Sequence, residues 1–354
     1  MYWLKNKLSI KSMSFVYRNG WQQQQRRTNS NIGVIGIPFW YGQSKLGTNQ
    51  APETLRSKGL IDKLSTCFGQ NHVIDFGNIS LEIAPNELIL NDNQWKNPNE
   101  FNLWRICQKS SQCIENLVKN GYVPLILGGD HSIAVGSVMG TQRALANDLS
   151  LIWIDAHADA NTVQSSYSGN LHGMPISFLV KNGIAATKVE NSEKNHQQIK
   201  PCISAKNIVY IGLRDVEIQE LKLLKDLNIT YFSMRDVDHL GKNPKVIARA
   251  IDKIDPLNKN KLHVSFDVDS MDPMIIPSTG TPVMGGLTLR ETFQIAEYIA
   301  QTGRMIALDV VEFNPNIGTE QIVDQSARYI IDIITTFFGK SRLGYYGCSA
   351  ENLI

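Results

Sequence analysis

The sequence predicts a single α/β domain built on a parallel sheet, and three observations predict it. Eight short apolar runs rich in Val, Ile and Leu recur from Ile32 onward, helical patterns fit between several of them, and no Pro/Gly/Ser-rich linker interrupts the series. The runs are Ile32 to Ile37, Val73 to Phe76, Val123 to Leu127, Leu149 to Ile154, Ile208 to Gly212, Ile229 to Ser233, Leu262 to Phe266 and Met305 to Val311. Their lack of polar alternation is the pattern of strands buried on both faces. Among the helical segments, 99–120 places Leu103, Ile106, Cys107, Ile114, Leu117 and Val118 on one stripe and stops at Gly121, a natural residue to end a helix. Thr288 and Glu291 have capping-box spacing ahead of a segment that carries Ala296, Ile299 and Ala300 and ends at Gly303. Leu81 to Pro98 and Lys188 to Pro201 are polar and read as surface loops. There is no internal repeat.

Composition narrows the function classes. The chain has 354 residues, of which 42% are hydrophobic and 19% charged, so it can bury a sizeable core and is neither collagen-like, disordered nor a disulfide scaffold. No apolar run approaches the roughly 18 to 20 residues that span a bilayer, so no membrane partner is expected. Cys67, Cys107, Cys113, Cys202 and Cys348 form an odd set without a C-x-x-C pair, against a thiolate zinc site and in favour of a reducing compartment. No Asp or Glu precedes Glu53, whereas residues 1–30 carry Lys5, Lys7, Lys11, Arg18, Arg26 and Arg27. Beyond this leader 29 basic residues face 33 acidic ones, a net of −4, so the overall charge of +2 is no footprint of nucleic-acid binding. A basic, acid-free opening with Ser9, Ser12 and Ser14 among scattered apolar residues fits a mitochondrial transit peptide; a disordered basic tail is the alternative.

Polar residues lie directly after the apolar runs. The third run is followed by Gly128-Gly129-Asp130-His131-Ser132, the fourth by Asp155-Ala156-His157-Ala158-Asp159 and the seventh by Asp267-Val268-Asp269, while the eighth supplies Asp309 and Glu312. Ligands bind at the carboxyl ends of strands in open parallel sheets, so these distant segments are expected to converge on one crevice. In extended chain, residues two apart share a face, which would aim Asp155, His157 and Asp159 the same way. Buried carboxylates without compensation cost several kcal/mol each or take up protons, and a cation resolves the conflict. His131, Asp155, His157, Asp159, Asp267 and Asp269 could neutralise two divalent ions. Oxygen-rich ligation with some imidazole and no thiolate makes Mn²⁺ the first choice. His72, His196, His239 and His263 lack such company and read as ordinary surface or core residues. Asp130 and Asp272 are either groups that orient ligands or turn and cap residues.

With these residues in place, the segments Gly128 to Ser132, Asp155 to Asp159, and Ser265 to Asp269 followed by Pro273, Pro277 and Gly286 resemble the three metal signatures of the ureohydrolase family, and within it arginase. The resemblance implies a three-layer α/β/α fold with an eight-stranded, mainly parallel sheet over 31–342, leaving 343–354 as a tail. It implies two Mn²⁺ per chain and hydrolysis of L-arginine to L-ornithine and urea by a metal-bridging hydroxide. His131, Asp155, Asp159 and Asp267 would hold one metal and Asp155, His157, Asp267 and Asp269 the other, with Asp155 and Asp267 bridging and Asp159 also counted with the catalytic groups. His172 resembles the family's proton shuttle and Glu312 the carboxylate that pairs with the guanidinium. Asn161, Ser168 and Asn170 resemble the loop that binds the amino-acid end of the substrate; Glu217, where the family usually has Asp, together with Glu220 and Thr281, falls on the opposite wall. A homotrimer is also implied, with Arg342 of one subunit facing Glu291 of the next. Alternatives are an agmatinase or guanidinobutyrase, a regulatory pseudoenzyme, and a mononuclear deacetylase on a related fold.

Overall fold

The computed structural model describes residues 31–80, 98–145, 149–181, 199–240 and 245–342. The leader and tail, Cys348, His196 and most of the two polar excursions lie outside the described residues. Each apolar run becomes a strand: β1 Asn31–Ile37, β2 Val73–Asn78, β3 Tyr122–Gly128, β4 Leu149–Ile154, β5 Ile208–Leu213, β6 Thr230–Ser233, β7 Lys261–Asp267 and β8 Met305–Val311. They form one sheet in the order β2-β1-β3-β8-β7-β4-β5-β6, every adjacent pair parallel.

Ten α-helices are described: α1 Ala51–Ser57, α2 Leu60–Phe68, α3 Pro98–Lys119, α4 Ala134–Ala144, α5 Pro175–Leu179, α6 Ile218–Asp226, α7 Met234–Leu240, α8 Lys245–Ile254, α9 Leu289–Thr302 and α10 Glu320–Phe337. Strand periodicity of two sorts them into layers. Ile152 and Ile154 of β4 and Val264 and Phe266 of β7 face a core completed by α1, α2 and α7 to α10, through residues such as Leu55, Leu64, Ile247, Ile295 and Ile330. Leu151 and Trp153 of β4 and Ala307 and Val311 of β8 face the other core, closed by α3 to α6 through Ile106, Val138, Ile176 and Leu224. The sheet is thus buried on both sides, which is why its strands lack polar alternation. Helix α9 begins with the expected capping box, Thr288 N–H donating to Glu291 at 2.8 Å, and ends at Gly303 with φ 63°.

Four neighbouring strands in the middle of the sheet, β3, β8, β7 and β4, come from distant parts of the chain and end side by side. The chain leaving β3 passes tightly under the loop after β1: a Cβ at Gly129 would lie 1.6 Å from the Phe39 carbonyl oxygen, so only glycine fits. This contact sets the approach of the segment that carries His131. Among the described residues no helix is long and apolar enough to cross a membrane.

Candidate metal centre

The three signature segments leave their strands by one local device. Asp130 Oδ1 accepts from Ser132 N–H at 3.0 Å, Asp155 Oδ1 from His157 N–H at 2.7 Å, and Asp267 Oδ1 from Asp269 N–H at 2.7 Å. An aspartate that accepts from the amide two residues on forms an Asx turn. The i, i+2 spacing therefore marks a turn that folds two side chains toward one point, in place of the shared strand face expected from sequence. Asp159, beyond the second turn, takes a left-handed φ of 49°.

The turns bring all six expected ligands together. His131 Nδ1 lies 3.1 Å from Asp155 Oδ2, 3.1 Å from Asp159 Oδ2 and 3.0 Å from Asp267 Oδ2. His157 Nδ1 lies 3.5 Å from Asp155 Oδ1 and 3.1 Å from Asp269 Oδ2. Two groups able to hold a metal ion result, His131 with Asp155 and Asp267, and Asp155 with His157 and Asp269. Asp155 belongs to both, one oxygen turned to each imidazole. Asp267 belongs to the first of the two groups.

The donor set fits a cation. His131 Nδ1 is buried among three carboxylates yet makes no hydrogen bond, as a lone pair aimed at a metal would. Its other nitrogen, Nε2, lies 2.9 Å from Ser265 Oγ, and its ring stacks on Trp153 at 4.0 Å. Trp153 Nε1 donates to Asp155 Oδ2 at 2.9 Å. Burial and the neighbouring charges of Asp269 and Asp155 drive Asp267 well above the usual carboxylate range. Burial and Asp155 raise Asp159 to about 6, and burial with Asp155 raises Asp269. Asp155 moves the other way: burial opposes it, but His131 and His157 hold it below its ordinary value. Burial lowers both histidines, and the surrounding carboxylates reverse this and raise them. Carboxylates packed this closely exchange protons for a multivalent cation readily.

The groups expected to handle substrate line one cleft of about 150 Å³ above the metal residues: Asn161, Ser168, Asn170, His172, Glu217, Glu220, Thr281 and Glu312. Glu312 follows β8 with φ 65°, a strained setting for a non-glycine residue that aims its carboxylate into the cleft. Its Oε1 accepts from His131 N–H at 2.8 Å and lies 3.1 Å from His172 Nδ1, while its Oε2 accepts from Gln43 Nε2 at 2.8 Å. Burial lowers His172, but Glu312 outweighs it and raises the imidazole to about 9. Thr281 Oγ1 donates to Asp269 Oδ2 at 2.9 Å. Glu220 is pushed up to about 7 by burial and accepts from the backbone of Ala160 and Glu217, both at 3.0 Å. Asn161 Oδ1 accepts from Ser165 Oγ at 2.8 Å, which braces its loop.

The structure adds residues that the sequence did not single out. Gln43 lies in the loop after β1, and the pairing of β1 with β3 and of β3 with β8 brings it to Glu312. Trp153 and Ser265 lie inside strands, where their parity with Asp155 and Asp267 was the available signal. One expectation changes. Asp309 does not line the cleft; it lies behind it and pairs with His263, which is thus no ordinary core residue. Within the chain, Arg342 grips Glu297 through two contacts of 2.6 Å, and Glu291 caps its own helix.

Fold and site define a three-layer α/β protein with two overlapping metal-binding groups at the carboxyl ends of its central strands. A profile described as "Arginase family" matches residues 30–339. The chain is 42% identical to "Arginase-2, mitochondrial" of Homo sapiens, with 90% of this chain and 88% of that protein covered, and 41% identical to "Arginase-1" of Oryctolagus cuniculus, with 89% and 95% covered. A native arginase structure from Bacillus caldovelox superposes with a TM-score of 0.75 at 30% identity, covering 88% of this chain and 99% of that one. The agmatine ureohydrolase of Thermoplasma volcanium, at 22% identity and a TM-score of 0.63, shares the fold. The chain belongs to the arginase family, whose enzymes depend on metal.

Proposed function

We infer that this enzyme hydrolyses L-arginine to L-ornithine and urea at a pair of manganese ions held by His131, Asp155, His157, Asp159, Asp267 and Asp269. The observation that carries the reading is Asp155, shared by two His/Asp groups around a buried imidazole nitrogen that makes no hydrogen bond. Manganese is favoured because the donors are carboxylate oxygens with two imidazoles and no thiolate. When bound, the two ions make water acidic enough to attack a guanidinium carbon at neutral pH.

The chain's own residues do the rest. Glu312, held through both oxygens, offers the guanidinium a fixed carboxylate, so the planar cation is oriented before attack. His172 keeps its proton at neutral pH because Glu312 lies beside it, and it can deliver that proton to the departing amine. Asn161, Ser168 and Asn170 on one wall offer hydrogen bonds to the α-carboxylate, and Glu217 and Glu220 on the other offer acceptors to the α-ammonium. Urea release from arginine, agmatine and 4-guanidinobutyrate, with Mn²⁺ added after chelation, tests the assignment. Arginine is expected to be turned over with the highest kcat/KM, and equal values for arginine and agmatine would refute it.

The relatives named mitochondrial support import directed by residues 1–30. A reporter carrying residues 1–35 should enter mitochondria, and the same reporter with Lys5, Lys7, Lys11 and Arg18 changed to Glu should stay outside. Residues 31–342 form the catalytic domain and 343–354 the tail. A homotrimer is part of the same reading, with Phe338 to Arg342 as the reaching segment. Light scattering that gives a monomer at micromolar concentration would refute it.

A further inference from the structure

On the protein side of the metal centre a second histidine–aspartate pair is sealed in the core. His263 of β7 and Asp309 of β8 are both 0% exposed, and Nε2 of His263 lies 2.9 Å from Oδ2 of Asp309. Neither reaches the cleft. A buried pair of this kind carries a desolvation cost that apolar residues of the same volume would avoid. A structural role alone gives no reason for it.

Counting hydrogens shows what the pair is attached to. Thr141 Oγ1 lies 3.0 Å from the Ser137 carbonyl and 3.0 Å from His263 Nδ1, which ties the ring to α4. On its other side the ring meets Asp309, with Nε2 2.9 Å from Oδ2. Oδ2 also accepts from Ser137 Oγ at 2.8 Å and from Ser265 Oγ at 3.2 Å. With its hydrogen given to Asp309, Ser265 can only accept from His131, so Nε2 of His131 carries a hydrogen, and in the neutral ring that a ligand must be, Nδ1 is the bare nitrogen. Bare Nδ1 is the atom that faces Asp155, Asp159 and Asp267. All of Asp309's bonds converge on Oδ2, while Oδ1 is buried without a hydrogen-bond partner.

We propose that the His263–Asp309 pair anchors a hydrogen-bond relay through Ser265 that fixes the tautomer of His131 and thereby sets the affinity of the ion bound there. The two residues position a ligand and touch neither substrate nor metal. The inference rests on the reading of His131 as a ligand and extends it two side chains into the core.

The test is a Mn²⁺ titration of the metal-free full-length protein, with free Mn²⁺ followed by electron paramagnetic resonance. Asp309→Leu, which keeps the volume and removes the acceptor, should weaken one of the two bound ions by about 10- to 100-fold and leave the other within about threefold. Asp309→Asn should recover most of the loss, because its amide oxygen can take the place of Oδ2 and its NH₂ that of the partnerless Oδ1. Adding Ser265→Ala to Asp309→Leu should weaken binding no further than the worse single change, since both cut one chain. Should Asp309→Leu fail to fold, His263→Phe leaves the carboxylate in place but unanchored and should weaken the same ion to a lesser degree. Unchanged affinities, equal weakening of both ions, or additive losses in the double variant would overturn the relay alone. An unaltered protein that binds no Mn²⁺ would overturn the metal reading and the relay with it.

Discussion

The two imidazoles of the metal centre are set in unlike surroundings. His131 is 1% exposed, stacked on Trp153, and its outer nitrogen is held by Ser265. His157 is 22% exposed and lines the cleft, and its outer nitrogen has Asp215 at 3.9 Å, a residue itself 67% exposed. One half of the centre is built into the sheet and the other opens to solvent and substrate, with Asp155 joining them. With the two ions proposed above, the embedded half would enclose one, and the open half would hold the other where solvent and substrate reach it.

The strongest way to break this comparison is to remove what the halves share. Asp155→Ala should lose both ions and cut kcat by about a thousandfold or more, because several kcal/mol of catalysis depend on them; elemental analysis and urea assays check this. The histidines themselves sharpen the contrast. His131→Ala strips a buried partner from three carboxylates and should lower the melting temperature of the metal-free protein by several degrees more than His157→Ala does. Equal shifts by calorimetry would mean that the two halves do not differ.

Smaller effects fall outside the metals. Asn161→Ala should lower the preference for arginine over agmatine by about tenfold or more, since a hydrogen bond to a charged group contributes about 1.5 to 3 kcal/mol. The smallest effect is a pH dependence. Because Glu312 raises His172 to about 9, the stabilisation from this pair is complete below the ordinary histidine range and is lost as the pH rises through about 9. In metal-free protein, the melting temperatures of the unaltered chain and His172→Asn should therefore differ most near pH 6 and converge by pH 10.

Much of this was legible beforehand because burial on both faces writes an unmistakable pattern. All eight strands followed from apolar runs, with ends shifted by a residue or two where pairing extends past the apolar stretch. The ligands were legible because charged residues directly after such runs have no cheap structural explanation. What could not be read was direction. Asp309 and Glu312 look alike in sequence, but three residues along a strand put them on opposite sides, and only the turn at Glu312 with φ 65° reaches the cleft. Gln43 carries no local signal at all, since its role depends on which strand lies beside β1. The i, i+2 spacing was informative for a reason other than the one it suggested, because a turn brings two side chains together as effectively as a shared strand face.

The strand order has a consequence for how the molecule comes into being. The block β2-β1-β3 carries His131 and the block β4-β5-β6 carries Asp155, and only β7 and β8 join them in the sheet. Both joining strands are synthesised after every other strand, and β8 must enter the middle. A chain emerging from the ribosome thus holds the halves of its future centre apart until residues near Val311 are free. Closure over such sequence separations is slow. The carboxylates that follow β4 and β7 can meet as soon as those two strands pair, and the imidazole of His131 is the last ligand to reach them.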